Sequence, residues 1–436
     1  MALTDTAEFR AAGPRRRSGR LARLGGSVAR RLMPGERMRV TYEGWVYLGV
    51  WVGLVVIGLN QQSNLVLLTA GLAAGPIAAS LLVSGSMLKR VKVERRQPAY
   101  AFAGEPLAID YSLANLRKKT ASIGLRLVDD FSPVVRGVPD ASRLLPSVTF
   151  ARVGGGQRVR ARWQSTAPGR GLYRFGSMEL VTRAPFGLVE RRSTLSAPGE
   201  MVVYPRVGQL ARRWHQIHRE VTESRRGQRH DRSAQQQEYH GLRDYRPGDS
   251  PRWIHWRTTA RLGVPMVKEF EQQSDQDLAI LLDPWQPRTK VTPEHREALE
   301  ALVRFAATVC LETCRGGGRR LLLGWTGPQP GVRQGPSSVK LSHELLGRLA
   351  VLRPSAEGTL SALFDASPPA MLREAFLVVV STRPVNLVEE AERSGRLNGP
   401  AARGLAGRVL LLDSSRGDLD ALVRYDLSNP SGGRTP

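Results

Sequence analysis

The strongest constraint on this chain is a window without charged side chains, which runs from Gly44 to Leu88. Two apolar stretches lie inside it, residues 44–59 and 65–83, and the short polar turn Asn60–Asn64 separates them. A helix that crosses a bilayer needs about 20 residues, and about 17 are tolerated. The second stretch is long enough, whereas the first reaches this length only if it includes Tyr42 or the polar turn. The window therefore predicts a hairpin of two transmembrane helices within residues 41–88.

Basic side chains flank this hairpin on both sides. Residues 1–40 contain ten arginines against three acids, and the residues after the second stretch are also basic: Lys89, Arg90, Lys92, Arg95 and Arg96. Short basic flanks remain in the cytoplasm. We therefore expect a two-pass protein of the inner (cytoplasmic) membrane, with both termini in the cytoplasm and the lipid bilayer as a partner. A buried hairpin in a soluble core and a cleaved signal peptide are the alternatives, but the apolar region begins late for a signal peptide.

Small residues recur at four-residue spacing within the hairpin, as Gly49 with Gly53 and as Gly71 with Gly75. Such spacing lets helix backbones approach closely. Either pair is a candidate for a contact between helices.

The spacing of apolar residues and the local composition divide the rest of the sequence into segments. Residues 1–40 form a basic segment that we predict to be disordered. Residues 89–206 alternate apolar and polar side chains between Gly/Pro turns, which predicts a β-sandwich-like domain. Residues 207–276 are polar and are interpreted as a linker or surface helix followed by a signature segment. Residues 277–427 predict an α/β domain, and residues 428–436 a disordered tail.

Individual elements of the α/β domain can be located. Apolar runs predict strands at Asp277–Asp283, Arg320–Trp325, Phe376–Ser381 and Arg408–Leu412. Strands that alternate with helices imply a parallel sheet covered on both faces. Helices are predicted at Pro293–Cys314 and at His343–Val351, the second with Ser342 as its N-cap. Cys310 and Cys314 fall in the first of these helices and are interpreted as core residues, with a metal or redox pair as the alternative.

The charge balance points to an anionic partner. The chain has 64 Lys+Arg against 39 Asp+Glu, a formal net charge of +25. Phospholipid head groups, nucleic acid and an acidic protein face all fit this charge. No Ser or Cys occupies a nucleophile setting such as Gly-x-Ser-x-Gly, so we expect no enzyme and no cofactor. Two weak sets of polar candidates remain, His215 with His218 for a metal, and His240, Asp244, Asp249 and His255 for acid–base chemistry.

The segment Gly241–Glu271 interleaves basic and aromatic residues around a turn signal. Its candidate partner-binding residues are Arg243, Tyr245, Pro247, Gly248, Asp249, Arg252, Trp256 and Arg261. One interpretation is an internal brace, in which Asp249 pairs with an arginine and the tryptophans pack against the following domain. The second is a protein-binding surface, because Trp, Tyr and Arg dominate such sites. A site for single-stranded nucleic acid is the least favoured.

The same segment carries a multi-part motif: Gly241-Leu242-Arg243, Tyr245, Pro247-Gly248-Asp249, Ile254, Trp256 and Ala260-Arg261. Upstream, Gly171-Leu172-Tyr173-Arg174, Pro185-Phe186-Gly187-Leu188 and Tyr204-Pro205 add to it. With the hairpin, the chain from about Gly44 to the end of the α/β domain resembles the bacterial domain-of-unknown-function 58 family. The resemblance implies a von Willebrand factor A-like domain, a membrane location, and a companion similar to a MoxR-type AAA+ ATPase. It implies no reaction.

The predicted α/β domain departs from the von Willebrand pattern at Asp283. Many such domains bind a divalent cation through an Asp-x-Ser-x-Ser loop, whose oxygens suit hard cations. Here Trp285 and Pro287 stand where the serines would be, and Arg383 follows the Phe376–Ser381 strand where an acid is often expected. We therefore predict a degenerate site without a metal, in which loop amides bond the Asp283 carboxylate.

Three functions follow from these observations. The first is a membrane-anchored adaptor or scaffold that presents cytoplasmic domains to a protein partner such as a MoxR-type AAA+ ATPase. The second is a metal-dependent ligand-binding module, which requires a cation at Asp283. The third is a basic nucleic-acid-binding membrane protein, motivated by the net charge. The sequence determines neither the cellular process nor the oligomeric state.

Overall fold

The computed structural model describes residues 37–134, 141–230, 239–246, 254–270, 277–394, 403–404 and 409–425. Two apolar helices precede a sheet-rich, mixed α/β body, as predicted. The helices are α1 (Tyr42–Asn60), α2 (Asn64–Leu88), α3 (Arg212–His230), α4 (Trp256–Leu262), α5 (Pro293–Gly316), α6 (Val339–Ala350), α7 (Leu360–Ala366), α8 (Pro369–Glu374) and α9 (Leu387–Arg393). The predicted tail at 428–436 lies outside the described residues.

The strands up to the signature segment are β1 (Arg37–Val40), β2 (Val91–Arg96), β3 (Tyr100–Phe102), β4 (Pro106–Asn115), β5 (Ser122–Val128), β6 (Phe131–Pro133), β7 (Ser147–Val153), β8 (Arg158–Thr166), β9 (Gly171–Thr182), β10 (Val189–Tyr204) and β11 (Gln209–Leu210). The later strands are β12 (Tyr239–Asp244), β13 (Met266–Phe270), β14 (Leu278–Asp283), β15 (Arg320–Trp325), β16 (Gly331–Pro336), β17 (Phe376–Ser381), β18 (Val409–Asp413) and β19 (Val423–Arg424).

The helical hairpin is closed by polar contacts between its two helices. Thr41 caps α1 by accepting a hydrogen bond from the Gly44 amide at 3.0 Å, so the helix includes Tyr42. The Tyr47 hydroxyl donates to the Ala73 carbonyl and the Trp51 indole N–H donates to the Ala70 carbonyl, each at 2.9 Å. Both helices are long and apolar enough to cross a membrane.

The paired glycines face away from this contact. A Cβ added at Gly49, Gly53, Gly71 or Gly75 would meet nothing within 4 Å, so the expectation that they line a helix contact is wrong within this chain. The helices approach instead at Gly58, where an added Cβ would lie 2.9 Å from a Leu67 methyl carbon. Four-residue spacing identifies a face of small residues but does not say which way that face turns.

The last residues of the predicted disordered N-terminus form a strand. β1 pairs antiparallel with β10, with Arg37 opposite Arg192 and Val40 opposite Val189. The prediction of disorder is therefore wrong for residues 37–40. Four residues with two arginines carry little local signal, because the hydrogen-bonding partner comes from a strand about 150 residues away.

The β-rich body consists of two facing sheets. One has the order β1-β10-β9-β5-β7, with β3 on β10 and β6 on β9, and the other has the order β2-β4-β8. Alternate residues of β4 and β5 point into the shared core, as in Leu107, Ile109, Tyr111, Leu113, Leu125 and Leu127. Arg158, Arg160 and Arg162 alternate with the apolar residues of β8 and are exposed. This alternation places one face of each strand in the core and the other in solvent.

The α/β body is built on a five-stranded sheet of order β16-β15-β14-β17-β18, parallel except for the antiparallel edge strand β16. Ile280 packs with α5 and α6 on one face, and Leu281 packs with α7, α8 and α9 on the other. Cys310 and Cys314 are free thiols buried in the first of these cores. The predicted N-cap of α6 is wrong, because Ser338 caps it and the Ser342 hydroxyl donates to the Val339 carbonyl.

Helix α3 belongs in part to this α/β body. Trp214 is buried and packs edge-on against Phe305, with the ring centres 5.4 Å apart. Ile217 and Val221 pack against the same core. Residues 212–221 therefore form part of a helix that packs on the α/β body.

The two bodies are joined at Arg170, the largest fully buried side chain among the described residues. Its Nη1 atom lies 2.8 Å from the Glu300 carboxylate on α5, and its Nη2 atom donates to the Leu352 carbonyl at 2.9 Å. Nearby, the Tyr204 hydroxyl lies 3.2 Å from His343 Nδ1 on α6. A buried, paired arginine fixes the contact between the bodies because separating it from Glu300 would leave two uncompensated charges.

Candidate partner-binding site

The signature segment forms a small separate unit, called here the signature hairpin: β12, β13 and α4. Its strands pair antiparallel, with Asp244 opposite Met266 and Tyr239 opposite Phe270. The Tyr245 amide donates to the Pro265 carbonyl at 2.9 Å and extends this pairing by one residue. Pro247, Gly248, Asp249 and Arg252 lie outside the described residues, as does the side chain of Arg243.

Local polar bonds hold α4 against β13. His255 caps the helix by accepting a hydrogen bond from the Thr258 amide, and Gly263 ends it with a positive φ of 71°. The Thr259 hydroxyl accepts a hydrogen bond from the Met266 amide at 3.0 Å. A helix of seven residues is not stable alone, so these caps determine its geometry. The His255 imidazole is bonded to Thr258 within the part of the chain that the structure describes, and Asp249 lies outside it.

Large apolar side chains remain exposed on the signature hairpin. Trp256 exposes 68 % of its surface and Tyr245 exposes 37 %. Leu262 and Val264 are also exposed, and Arg261 lies beside them in the last turn of α4. Val267 of β13, by contrast, is buried. The described part of the unit thus carries Tyr245, Trp256 and Arg261 of the predicted set, and Trp256 is mostly exposed there.

The second predicted position, Asp283, ends the central strand β14 and is fully buried. Its Oδ1 atom accepts from the Thr326 hydroxyl at 3.1 Å, and its Oδ2 atom accepts from the Ser381 hydroxyl at 3.2 Å. Arg383 Nε also donates to Oδ2, at 3.1 Å. The expectation of loop-amide partners is therefore wrong: hydroxyls and a guanidinium bond this carboxylate.

Arg383 is held over this site by two further contacts. Its Nη2 atom donates to the Gly358 carbonyl at 3.3 Å, and its guanidinium lies 5.4 Å from the centre of the Trp285 ring. The chain passes from β14 to β15 on one side and returns to β17 on the other, so the site lies at a topological switch point of the sheet. Open parallel sheets bind ligands at such points. Here the position is filled by a cationic side chain of the same chain.

A cavity of about 450 Å³ opens at the end of the neighbouring strand β15. Three arginines line it, Arg333, Arg348 and Arg353, above apolar side chains that include Trp325 and Val351. Arg333 is paired with Glu344 at 3.2 Å, and none of the lining residues is acidic. Arg348 and Arg353 are exposed. Such a cavity can accept an acidic side chain or another anionic group. Sequence reasoning missed it because Arg333 precedes Arg348 by 15 residues and Arg353 by 20, and the three side chains converge only in the fold.

The two histidines of α3 do not form a metal site in the described structure. His218 packs edge-on against Phe376, with ring centres 5.0 Å apart, and lies beside Arg319. Burial, reinforced by the Arg319 charge, lowers the pKa of His218 to about 4. Within the described residues, no group of three or more His, Cys, Asp or Glu side chains is arranged to hold a metal ion.

Comparison with known proteins gives a family-model match for part of the chain. Residues 241–409 match the family model described as "Protein of unknown function DUF58", which confirms the resemblance over those residues. A stretch of 116 residues is 29 % identical to the uncharacterized protein YeaD of Bacillus subtilis (strain 168). This match covers 26 % of the present chain and 28 % of the Bacillus protein, less than a third of its length.

Solved structures give only distant likenesses. The CARDB domain of a Pyrococcus furiosus protein, solved in complex with di-metal ions, is 12 % identical with a TM-score of 0.17, covering 26 % of this chain and 91 % of that domain. The DNA glycosylase AlkC of Pseudomonas fluorescens, bound to DNA containing an abasic site analog, is 15 % identical with a TM-score of 0.20, covering 37 % and 44 %. Likenesses at this level carry no argument about fold or function.

Proposed function

We propose that this protein is a membrane-anchored adaptor or scaffold that presents cytoplasmic domains to a protein partner. The observation that carries the proposal is the exposure of Trp256 and Tyr245 on the signature hairpin, inside the segment that matches the family model. Exposed Trp and Tyr side chains on a locally rigid unit are typical of the anchors of protein interfaces. The cellular process is left open.

The proposed anchor is the hairpin of α1 and α2, a two-pass insertion in the inner membrane with both termini in the cytoplasm. Tyr42 and Trp45 are exposed at the start of α1, where aromatic side chains sit at a membrane interface. The flanking basic residues favour the cytoplasmic side. Both outer ends of the hairpin lead into the same β-rich body, which supports a two-pass arrangement with the described domains on one side of the membrane.

The proposed partner is a MoxR-type AAA+ ATPase, on the family resemblance. The net charge of +25 and the arginine-lined cavity beside β15 favour an acidic face on that partner. The α/β body is proposed to be von Willebrand factor A-like, with Arg383 taking the place of a divalent cation at Asp283. The protein then acts without catalysis and without a cofactor.

Co-purification tests this proposal. The full chain is extracted in detergent with a co-expressed MoxR-type ATPase, and recovery of the ATPase is measured for the wild type and for Tyr245→Ala combined with Trp256→Ala. We expect the double variant to lose at least 90 % of the recovery, because hot-spot truncations cost about 2 kcal/mol or more each. A matched control is Val339→Ala, an exposed apolar residue of the α/β body. Unchanged recovery in the double variant would count against the signature hairpin as the contact.

The nucleic-acid alternative has its own test. Gel shifts with single-stranded DNA and RNA at low salt should show no retention if the charge serves a protein partner. Retention that falls steeply as salt rises would instead favour nucleic acid as the partner.

A further inference from the structure

One end of the β-rich body is tied directly to the ends of the membrane hairpin. The Thr41 hydroxyl, at the start of α1, donates to the Gly187 carbonyl at 2.7 Å. At the end of α2, the Met87 carbonyl accepts from the Ser122 hydroxyl at 2.9 Å, and the Ser86 carbonyl accepts from Arg117 at 2.6 Å. The loops at 116–121 and 183–188 therefore lie beside the points where the chain leaves the hairpin.

The orientation of this end is fixed by further bonds. Arg191 of β10 donates from Nε to the Ser84 hydroxyl and from Nη2 to the Leu81 carbonyl, both at 3.0 Å. The strand β1 continues without a linker into α1 and pairs with β10 through four residues. A body held at both helix ends and through a paired strand cannot swing freely about the hairpin, so the same loops always face the bilayer.

Large apolar side chains are exposed at this end. Phe186 is 57 % exposed in the loop that bonds Thr41, and Leu116 is 61 % exposed directly after β4. Ile123, next to Ser122, is 47 % exposed. The Leu116 amide donates to the carbonyl of Arg90, which is the second residue after the end of α2, so Leu116 lies near that helix end. Single exposed apolar residues are ordinary on a protein surface. These three, however, lie beside the ends of the two hairpin helices, where the interface of a bilayer would cover them.

Positive charge surrounds these apolar side chains. Lys89, Arg90, Lys118 and Lys119 are exposed in the adjoining segments, whereas Glu43 is the exposed acid among residues 41–44, 89–90, 116–121 and 183–188. Glu190, close by, is buried and paired with Arg183 and Arg192. Lysines next to a bilayer attract anionic head groups. The opposite end of the body is covered by the α/β body through Arg170, so the exposed end is distinct from that joint.

We propose that this membrane-proximal end of the β-rich body lies in the head-group region of an anionic bilayer, with Phe186, Leu116 and Ile123 inserted among the lipids and Lys118 and Lys119 bound to anionic lipid. The inference rests on the proposed membrane anchoring. It makes the β-rich body a rigid spacer: β9 runs twelve residues from the Arg170 joint to the membrane end, a length of about 40 Å along the strand at roughly 3.3 Å per residue.

Site-specific fluorescence in lipid tests the insertion. The full-length Phe186→Cys variant is labelled with an environment-sensitive fluorophore and reconstituted in vesicles of phosphatidylcholine with about one third phosphatidylglycerol. The native Cys310 and Cys314 are buried, and labelling of the unsubstituted protein gives the background. We expect a blue-shifted label at position 186 that is quenched by doxyl lipids, and a water-like label at Val339→Cys, an exposed site on the α/β body.

A third label separates this inference from the anchoring itself. Val50 is exposed in the middle of α1, so a label at Val50→Cys should be quenched if the hairpin spans the bilayer. Quenching at 50 with a water-like label at 186 would overturn the insertion and leave the anchor intact. An unquenched label at 50 would overturn the anchor and, with it, this inference.

The lipid charge is tested separately. In phosphatidylcholine alone, and in the Lys118→Glu/Lys119→Glu variant, we expect quenching at position 186 to fall at least twofold, while Lys340→Glu, an exposed charge reversal on α6, leaves it unchanged. Equal quenching in all these samples would overturn the contact between the two lysines and anionic lipid.

Discussion

Local hydrogen bonds stabilise both the carboxyl edge of the parallel sheet and the signature hairpin, but the two regions differ in the apolar surface that they expose. At the sheet edge, Asp283 is fully buried and its oxygens accept from Thr326, Ser381 and Arg383. On the signature hairpin, the hydrogen bonds cap α4, and Trp256 remains 68 % exposed. At the sheet edge, the buried carboxylate has its hydrogen-bond partners within the protein. The signature hairpin instead exposes apolar side chains to solvent.

This difference indicates where binding energy is available. A carboxylate that already has a cationic partner gains little from a further ligand and loses much when that partner is removed. An exposed aromatic side chain, by contrast, gains much from a binding partner, because covering it with apolar surface is favourable in proportion to the area buried. We therefore assign structural stability to the sheet edge and propose partner binding for the signature hairpin.

The largest expected effect comes from Arg383→Ala. Removing the guanidinium leaves Asp283 buried with hydroxyl partners alone, and we expect the free energy of unfolding to fall by about 3 kcal/mol, the low end for a broken buried pair because Arg383 is partly exposed. Trp256→Ala should change it by less than about 0.5 kcal/mol. Thermal unfolding of both variants in detergent measures the contrast. Equal losses would erase the distinction between the two regions.

A pH dependence follows from His218 in the α/β body. Its pKa is about 4 when folded, below the ordinary 6.5, because burial disfavours the charged form. The unfolded chain therefore binds the proton more readily between these values, and the stability present above pH 6.5 is lost as the pH falls toward 4. We expect a loss of about 1–2 kcal/mol between pH 7 and pH 5. His218→Gln should remove that part of the slope in pH-dependent unfolding, and an unchanged slope would contradict the assignment.

The sequence predicted those parts of the fold that have a local period. The strands at Arg320–Trp325 and Phe376–Ser381 agree with the structure residue by residue, because a continuous apolar run between polar residues has few alternatives. The helix beginning at Pro293 was equally marked by its proline and by the glycines that follow it. The two helices that are long and apolar enough to cross a membrane follow from the absence of charge in residues 44–88.

Features that depend on distant partners were not predictable. Strand β1 exists because β10 supplies its hydrogen bonds, and the orientation of Gly49 and Gly71 depends on how α1 and α2 rotate against each other. At Asp283, the sequence indicated that the positive charge of Arg383 would disfavour a bound cation. That Arg383 donates to Asp283 became visible only when the ends of β14 and β17 were adjacent.

A smaller effect on partner binding is expected from the arginine-lined cavity beside β15. If an acidic partner face extends from the signature hairpin to the α/β body, then Arg348→Glu with Arg353→Glu should weaken binding of the co-purified ATPase by about tenfold at low salt and less at high salt. Lys340→Glu is the control for a change of charge outside the cavity. Titration calorimetry at two salt concentrations measures both. An equal effect of the control would assign the loss to overall charge.

The smallest expected effect is at the sheet edge of the unmodified protein. Because Arg383 already donates to Asp283, we expect no measurable heat when Mg²⁺ or Mn²⁺ is added. A saturable binding isotherm that Asp283→Asn abolishes would contradict this and favour the metal-dependent alternative.

Photo-crosslinking from position 256 tests the central claim most directly. A photoreactive amino acid replaces Trp256 on the signature hairpin or, as the control, Val339 on the α/β body, in cells that contain the full-length protein and a MoxR-type ATPase. We predict a crosslinked product at position 256 that contains the ATPase, and none at position 339. Equal crosslinking from both positions, or none from position 256 while the ATPase still co-purifies, would contradict the assignment of partner binding to the signature hairpin.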